Sequence, residues 1–174
     1  MAEIAPALLT FEGELPDHLN WQAVSFMRTE WPWIDGGLLR RPYDRALGPT
    51  YFVLVVDDLL IAHAATIALD VEHAGQRWRM AGLGNVFTFP SFRGRGYGSQ
   101  VVAAATGHIL AGPADLGGLY CGQRRIGFYA RHGWQPVDAP PDEDAARMML
   151  FVSPRGQLAR SSFEREPFRA PFAW

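Results

Sequence analysis

Apolar residues follow two different spacings along this chain of 174 residues, and each spacing predicts one kind of element. Short runs of β-branched and aromatic residues predict strands, whereas apolar residues three or four apart predict helices. The predicted strands cover 3–12, 51–56, 59–68, 77–90, 119–121, 134–137 and 147–152. The first predicted helix is opened by residues 15–17 and ended by residues 31–33, and the other two cover 99–110 and 124–132. The order β-α-β-β-β-α-β-α-β-β indicates a mixed α/β layer architecture, with a central sheet flanked by helices.

Turn-forming residues mark the ends of several predicted elements. The pair Asp57-Asp58 separates two apolar runs and predicts the turn of an antiparallel hairpin. The polar residues 70–76 predict a second turn. Asp17 is the predicted N-cap of the first helix, and Gly133 stands at the C′ position after the last one.

A strand, a glycine-rich turn and a helix follow one another between residues 77 and 110. Gly82 and Gly84 interrupt the strand, which indicates a bulge or the close approach of another backbone. Pro90 ends the strand because it lacks a backbone donor. Three glycines at alternate positions precede the helix: Gly94, Gly96 and Gly98.

This turn predicts an anion site. It points backbone N–H groups and the positive end of a helix at one spot, where a pyrophosphate would bind. Arg93 and Arg95 add positive charge, although a glycine-rich turn with two solvated arginines is the alternative. The lysine of a P-loop and the Gly-x-Gly-x-x-Gly pattern are both absent from the sequence.

The remaining pattern, Arg93-x-x-Gly96-x-Gly98, resembles the acetyl-CoA pyrophosphate loop of the GNAT acyltransferases. The resemblance covers about residues 50–152 and implies the GNAT acyl-CoA N-acyltransferase fold, with acetyl-CoA as cosubstrate. In that family a bulge in the strand before the loop opens the cofactor slot, and the edge of Val86–Phe89 would pair with the pantetheine amides. The implied cofactor-binding residues are Val86, Phe87, Thr88, Arg93, Gly94, Arg95, Gly96, Tyr97, Gly98 and Ser99.

A second segment, Phe128–Trp134, resembles the GNAT helix and turn that carry a general acid. Tyr129 occupies the position of that acid. When an amine attacks a thioester, a thiolate leaves, and a tyrosine O–H can protonate it or donate a hydrogen bond to it. The alternative for Tyr129 is a packing residue with a satisfied hydroxyl.

Residues 61–94, 124–134 and the end of the chain are also similar to the aminoglycoside 2′-N-acetyltransferases. Two departures affect what that similarity implies about the acceptor. Gly84 stands where that subgroup has a glutamate that relays a proton, and neither Gly84 nor Asn85 can act as a base. Phe172 replaces an acidic residue two positions before the terminal Trp174.

The acceptor site would therefore be less anionic than the one in that subgroup. Trp31 and Trp33 could belong to a substrate lid or to the core, and together with Phe168, Phe172 and Trp174 they would offer an aromatic rim. The predicted substrate-binding residues are Trp31, Trp33, Phe172 and Trp174. A small monoamine with an apolar body is the expected acceptor, because aromatic faces suit one ammonium group better than several.

Composition limits the remaining classes of function. The chain is 48% hydrophobic with a formal net charge of −2, which predicts one domain (1–174) without general affinity for nucleic acid. A single cysteine, no apolar stretch long enough for a membrane span and no signal-peptide pattern indicate a cytoplasmic protein. No residues have the spacing of metal ligands. The tail 153–174 would dock near the acceptor site or form part of a homodimer interface.

The sequence thus predicts an N-acetyltransferase that moves an acetyl group from acetyl-CoA to a primary amine by direct attack in a ternary complex. A non-catalytic acyl-CoA-binding or antibiotic-sequestering module and a protein N-acetyltransferase are the alternatives. No side chain is assigned as the base. Water therefore takes that role, and either the Asn85 region or the terminal carboxylate would order it. His63 is either a hydrogen-bonded core residue or lies near the reaction centre, and Cys121 is expected to pack in the core.

Overall fold

The computed structural model describes residues 5–137, 145–166, 168 and 170. Among these residues there are seven strands and four α-helices, together with short 3-10 turns. In chain order they are β1 (Ala7–Glu12), α1 (Asp17–Glu30), β2 (Thr50–Val56), β3 (Leu59–His73), β4 (Gln76–Thr88), α2 (Tyr97–Ala111), β5 (Leu116–Gly122), α3 (Ile126–Ala130), β6 (Gln135–Val137), β7 (Ala145–Phe151) and α4 (Pro154–Arg165).

The strands form one mixed sheet in the order β1-β2-β3-β4-β5-β7-β6. β1 pairs with β2, and β7 pairs with both β5 and β6, in antiparallel registers. β4 and β5 are parallel, and their register runs from Met80↔Leu116 to Gly82↔Gly118. Parallel neighbours need a crossover connection, which α2 provides here. The predicted mixed α/β fold and the predicted order of elements are confirmed.

The fourth helix, α4, was absent from the sequence prediction. The Ser153 side chain accepts a hydrogen bond from the Gly156 N–H at 3.1 Å, and Pro154 occupies the first turn. A capping serine followed by proline is a helix-start signal, so the sequence contained the information. Apolar residues are sparse in α4, which weakens the periodic signal that a helix normally gives.

Among the predicted boundaries that differ from the structure are the start of α1 and the turn after β3. Asp17 is the first helical residue of α1 and not its cap, because Pro16 stands at the cap without a side-chain hydrogen bond. The predicted turn at 70–76 belongs mostly to β3, and the turn itself is Ala74-Gly75 with φ values of 49° and 71°. The polar residues that suggested a turn alternate with buried ones, as on the outward face of a strand.

Contacts divide the chain into two compact units. The first unit contains Met1–Ala65 and Asn85–Ala105, and the second contains Thr66–Gly84 and Thr106–Trp174. The prediction of a single domain stays a prediction. The buried core of the first unit includes Leu19, Val24, Met27, Tyr51, Val53, Leu60 and Ile61. The buried core of the second unit includes Met80, Leu116, Trp134, Met148, Met149 and Phe163.

None of the helices described is long and apolar enough to cross a membrane. Within the same part of the chain, no three His, Cys, Asp or Glu side chains are grouped so that they could hold a metal ion.

Candidate active site

The glycine-rich turn lies in the first unit and leads directly into α2. A 3-10 turn covers Pro90–Phe92, and Arg93 after it is extended. Gly94 and Gly96 have φ values of 78° and 80°, in the left-handed region that only glycine adopts without strain. α2 begins at Tyr97, two residues earlier than predicted, so Gly98 and Ser99 belong to its first turn. The left-handed conformation therefore explains why glycine occupies positions 94 and 96.

The conformation of this turn fits a phosphate group. The first N–H groups of a helix have no acceptor within the helix, and the helix dipole favours an anion there. A Cβ atom on Gly94 or Gly96 would meet no atom within 4 Å, so both glycines face open space. Arg93 donates from Nε to the Thr88 carbonyl at 3.0 Å, which holds this cation against the end of β4. The cofactor role of these residues stays a prediction, and the geometry is compatible with it.

Aromatic rings anchor the end of the strand that precedes the turn. Phe87 is buried, and its ring stacks on Phe26 at 4.1 Å and on His63 at 4.9 Å between centroids. Val86 and Thr88 are half-buried, and all three follow the last residue of the β4–β5 register in the chain. Phe89 also contributes, since its ring lies 5.0 Å from Phe26 and its N–H donates to the Ile61 carbonyl at 3.0 Å.

His63 supports the irregular point of β4. The imidazole is fully buried, and its Nδ1 lies 2.7 Å from the Asn85 carbonyl oxygen. Because a carbonyl oxygen only accepts, Nδ1 carries the proton. Burial lowers the pKa of His63 to about 4, although the hydrogen bond to Asn85 acts in the opposite direction. His63 is thus a neutral, hydrogen-bonded core residue at neutral pH.

Asn85 itself has a φ of 50°, so the left-handed residue in β4 is Asn85 and neither of the two predicted glycines. Its side chain donates from Nδ2 to the Pro42 carbonyl at 3.0 Å. The irregularity is consequently tied to β3 through His63 and to the 40–45 segment through Pro42. Asparagine tolerates the left-handed region better than most residues, which a search for glycines overlooks.

A pocket of about 280 Å³ lies beside the 40–45 segment in the first unit. Its lining residues come from the connection after β1, the start of α1, the 40–45 segment and the start of β2. They are Gly13, Glu14, Leu15, Asp17, Asn20, Trp21, Arg40, Arg41, Tyr43, Arg45 and Tyr51. The sequence showed the adjacent Arg40-Arg41 pair, but residues that are far apart in the chain form the other walls.

Tyr129 lies in the second unit on α3. The predicted helix 124–132 is a 3-10 turn at Gln123–Arg125 followed by α3, and Gly133 has the predicted left-handed φ of 86°. The Tyr129 side chain is buried, and burial raises its pKa to about 12. Nearby Cys121 raises this pKa further, whereas the charge of Arg125 lowers it. The hydroxyl therefore keeps its proton at neutral pH.

Cys121 is buried beside Met148, with 3.8 Å between the two sulfur atoms. Burial raises the pKa of its thiol, although Arg125 lowers it somewhat. A buried protonated thiol is a poor nucleophile. The expected role of Cys121 in core packing agrees with this environment.

The predicted acceptor residues have different environments. Trp31 is half-buried, and its ring lies 6.0 Å from Phe26 and 6.2 Å from Phe87, so it packs in the first unit. Trp33 is 73% exposed. Phe172 and Trp174 lie outside the described residues.

Phe168, the remaining residue of the expected aromatic rim, is buried in the second unit. It lies 6.4 Å from Tyr120, and its carbonyl accepts a hydrogen bond from Arg147 at 3.4 Å. The expectation that Phe168 lies on an open rim was wrong, because its side chain is 2% exposed.

The family comparison agrees with the positions of the two motifs. A model described as an acetyltransferase (GNAT) domain matches residues 9–137, which include both the glycine-rich turn and Tyr129. No curated protein matches the sequence significantly.

Solved structures with this fold have low sequence identity. Escherichia coli ElaA is 16% identical, with a TM-score of 0.61 over 83% of this chain and 98% of that one. The GNAT family N-acetyltransferase YhbS from Escherichia coli, in complex with CoA, is 15% identical, with a TM-score of 0.58 over 90% and 86%. A conserved protein of unknown function from Enterococcus faecalis V583 is 18% identical, with a TM-score of 0.56 over 75% of this chain. The match covers only 33% of that longer protein.

Proposed function

Because this chain belongs to the GNAT acetyltransferase family, we propose that it is an N-acetyltransferase that moves an acetyl group from acetyl-CoA to a primary amine of a small molecule. The observation that carries the proposal is the turn before α2. Gly94 and Gly96 are left-handed and open towards solvent, and a helix begins immediately after them. YhbS, which has the same fold, was crystallised with CoA.

The residues that would hold acetyl-CoA lie on two consecutive segments. The backbone of Val86–Phe89 would pair with the pantetheine amides, and residues 93–99 would receive the pyrophosphate. When bound, acetyl-CoA supplies the acetyl thioester. Transfer is direct, since the only cysteine is a buried thiol with a raised pKa and cannot serve as an acyl carrier.

Tyr129 assists the departing thiolate by donating a hydrogen bond. An ordinary thiol has a pKa of about 8.5. The pKa of Tyr129 is about 12, so complete transfer of its proton to a thiolate would be uphill. A hydrogen bond to the developing charge needs no such transfer and is a recognised way to lower a barrier. The protonated, buried hydroxyl therefore suits stabilisation better than full acid catalysis.

The base that receives the proton of the amine is water. Gly84 stands where a carboxylate would be needed, and Asn85 is not basic. His63 is excluded as the base because its imidazole is fully buried, which lowers its pKa to about 4. A water molecule near the irregular residue of β4 is the remaining acceptor of the proton.

The test is an assay of thiol release from acetyl-CoA with a panel of small amines, aminoglycosides and peptides. We expect turnover with small monoamines and a kcat/KM below about 10⁴ M⁻¹s⁻¹ for aminoglycosides, because anionic partners are missing at Gly84 and Phe172. A higher value for an aminoglycoside would overturn this choice of acceptor. Binding of acetyl-CoA without turnover of any amine would indicate a binding module, and turnover of peptides alone would indicate a protein N-acetyltransferase.

A further inference from the structure

The pocket beside the 40–45 segment contains an excess of positive charge. Three guanidinium groups line it, from Arg40, Arg41 and Arg45, against the two carboxylates of Glu14 and Asp17. Arg45 and Glu14 form an ion pair, which accounts for one charge of each sign. Within the described part of the chain, neither Arg40 nor Arg41 pairs with a carboxylate. The pocket therefore keeps a net positive charge, because Asp17 is the one lining carboxylate left against Arg40 and Arg41.

A buried hydroxyl group adds a second reason to expect an anion. Tyr43 lines the pocket and is 9% exposed, and its hydroxyl oxygen is buried without a hydrogen-bond partner. Burial raises the pKa of Tyr43, so the hydroxyl remains a donor. A buried polar group without a partner costs free energy that a ligand oxygen could recover.

The arginine segment is positioned by its neighbours. Asn20 on α1 donates from Nδ2 to the Arg40 carbonyl at 3.0 Å. The backbone of Tyr43 hydrogen-bonds to the Tyr51 hydroxyl, whose raised pKa of about 12 is due mainly to burial. The side chains of Arg40 and Arg41 are exposed, but the backbone that bears them is fixed. A ligand would meet the guanidinium groups without first ordering the segment, which favours binding.

The pocket is also connected to β4. Asn85 donates to the carbonyl of Pro42, the residue that follows Arg41. The segment that carries the arginines is thus hydrogen-bonded to the irregular residue of the strand assigned to acetyl-CoA. A molecule seated against Arg40 and Arg41 would be bound next to that strand.

We propose that this pocket binds an anionic group, a carboxylate or a phosphate, that belongs to the amine acceptor. The inference rests on the proposed function, because it names the chemical class of the acceptor of that same reaction. The wall formed by Trp21, Leu15 and Tyr51 would contact the body of the acceptor, and the two arginines would bind its charge. A substrate with several ammonium groups would be repelled by the same arginines.

The first experiment measures binding without catalysis. Inorganic phosphate is titrated into the protein at constant ionic strength, and the fluorescence of the pocket tryptophan is recorded. We expect a saturable change that weakens at least about tenfold in the double variant Arg40→Gln/Arg41→Gln, because each charge-assisted hydrogen bond contributes more than this factor. The Trp21→Phe variant assigns the signal. Arg77→Gln, an exposed arginine of the second unit, is the matched control and should bind as the wild type does.

The second experiment compares three primary amines of similar size: propylamine, β-alanine and 2-aminoethyl phosphate. We expect a kcat/KM at least about tenfold higher for one of the two anionic amines than for propylamine, and the better one distinguishes a carboxylate from a phosphate. In the double variant the ratio of the two kcat/KM values should fall to about one, whereas Arg77→Gln should keep the wild-type ratio.

The two experiments separate failure of the inference from failure of the function. An unsaturable titration, equal binding by wild type and the double variant, or a preference for propylamine in the wild type would overturn the anion site. Absence of turnover with every amine would contradict the proposed enzyme, and the phosphate titration alone would then decide whether the pocket binds anions.

Discussion

In the second unit, the guanidinium group of Arg155 has several partners within the protein. It lies 3.9 Å above the Trp78 ring, approaches Asp115 at 3.5 Å, and donates to Gln76 and to the Arg77 carbonyl. In the first unit, Arg40 and Arg41 line a pocket without a carboxylate partner in the described residues. Arginine thus stabilises the fold in the second unit, whereas in the first unit two arginines remain available for a ligand.

Asp115 shows how complete the pairing is in the second unit. Its carboxylate accepts hydrogen bonds from the Ser153 hydroxyl at 2.9 Å and from the Arg79 N–H at 3.3 Å, and it is 7% exposed. Burial alone would raise its pKa, but these hydrogen bonds and the charges of Arg79 and Arg155 lower it below the ordinary value. A charge with every partner present contributes to stability, whereas an unpaired charge is a reason to search for a ligand.

The largest effect should follow from removing Asp115. Asp115→Ala removes the acceptor of the Ser153 hydroxyl and of the Arg79 N–H, and the carboxylate that faces two arginines. Each buried polar group left without its partner costs about 1–3 kcal/mol, so the free energy of unfolding should fall by about 3 kcal/mol or more. Arg40→Gln should change the free energy of unfolding by less than about 0.5 kcal/mol, as exposed substitutions usually do. Urea unfolding of both variants measures the difference. A loss below about 1 kcal/mol for Asp115→Ala would show that its pairing is not structural.

The second effect concerns the turn before α2. Gly96→Val should weaken acetyl-CoA binding at least about 10²-fold, because a side chain would occupy the space that a phosphate needs. Calorimetry measures the affinity. Gly75→Val is the matched control, since Gly75 has a similar φ of 71° and also faces open space, but in the turn after β3. Normal acetyl-CoA binding by folded Gly96→Val would remove the turn from the cofactor site.

The third effect concerns Tyr129, a polar residue of the second unit for which we propose a catalytic role. Tyr129→Phe should lower kcat by about 10²-fold and leave the affinity for acetyl-CoA unchanged. Because the pKa of Tyr129 is about 12, the wild-type kcat should show no decline from its ionisation below about pH 11. An unchanged kcat under conditions where chemistry is rate-limiting would exclude Tyr129 from the mechanism.

The smallest effect concerns His63, a buried polar residue of the first unit whose role is structural. The pKa of His63 falls from 6.5 to about 4 on folding, so between these values only the unfolded chain takes up the proton, and stability decreases as the pH falls. The loss between pH 7.5 and pH 5 should be about 2 kcal/mol.

In His63→Gln, whose amide can still donate to Asn85, this pH dependence should vanish. Burial also lowers the pKa values of His73 and His132, but their contributions are common to both proteins and cancel in the difference. Equal pH dependence of unfolding in the two proteins would contradict the burial argument for His63.

Local features of the site could be read from the sequence, because neighbouring residues determine them. Gly94 and Gly96 predicted a turn, and the apolar spacing after it predicted α2 to within two residues. The left-handed conformation of Asn85 could not be predicted, because asparagine in a strand gives no signal for it. The hydrogen bonds of Asn85 to His63 and Pro42 explain this conformation.

Features built from distant residues could not be predicted. The anion pocket combines residues from 13 to 51, and Asp115 contacts residues that are up to 40 positions away in the chain. The neighbours in Leu39-Arg40-Arg41 and Pro154-Arg155-Gly156 do not indicate which arginine has a partner. Only the folded chain shows which arginine has a partner.

Helix α4 has a practical consequence for recombinant production. Phe163 is fully buried with its ring stacked on His73 at 3.9 Å, and a Cβ on Gly156 would lie 2.3 Å from the Asp115 carbonyl oxygen. A chain shortened after residue 152 would uncover Trp78 and His73 and leave Asp115 without Ser153 and Arg155. Such a product should accumulate in inclusion bodies, so shortening designed to aid crystallisation should retain the whole of α4.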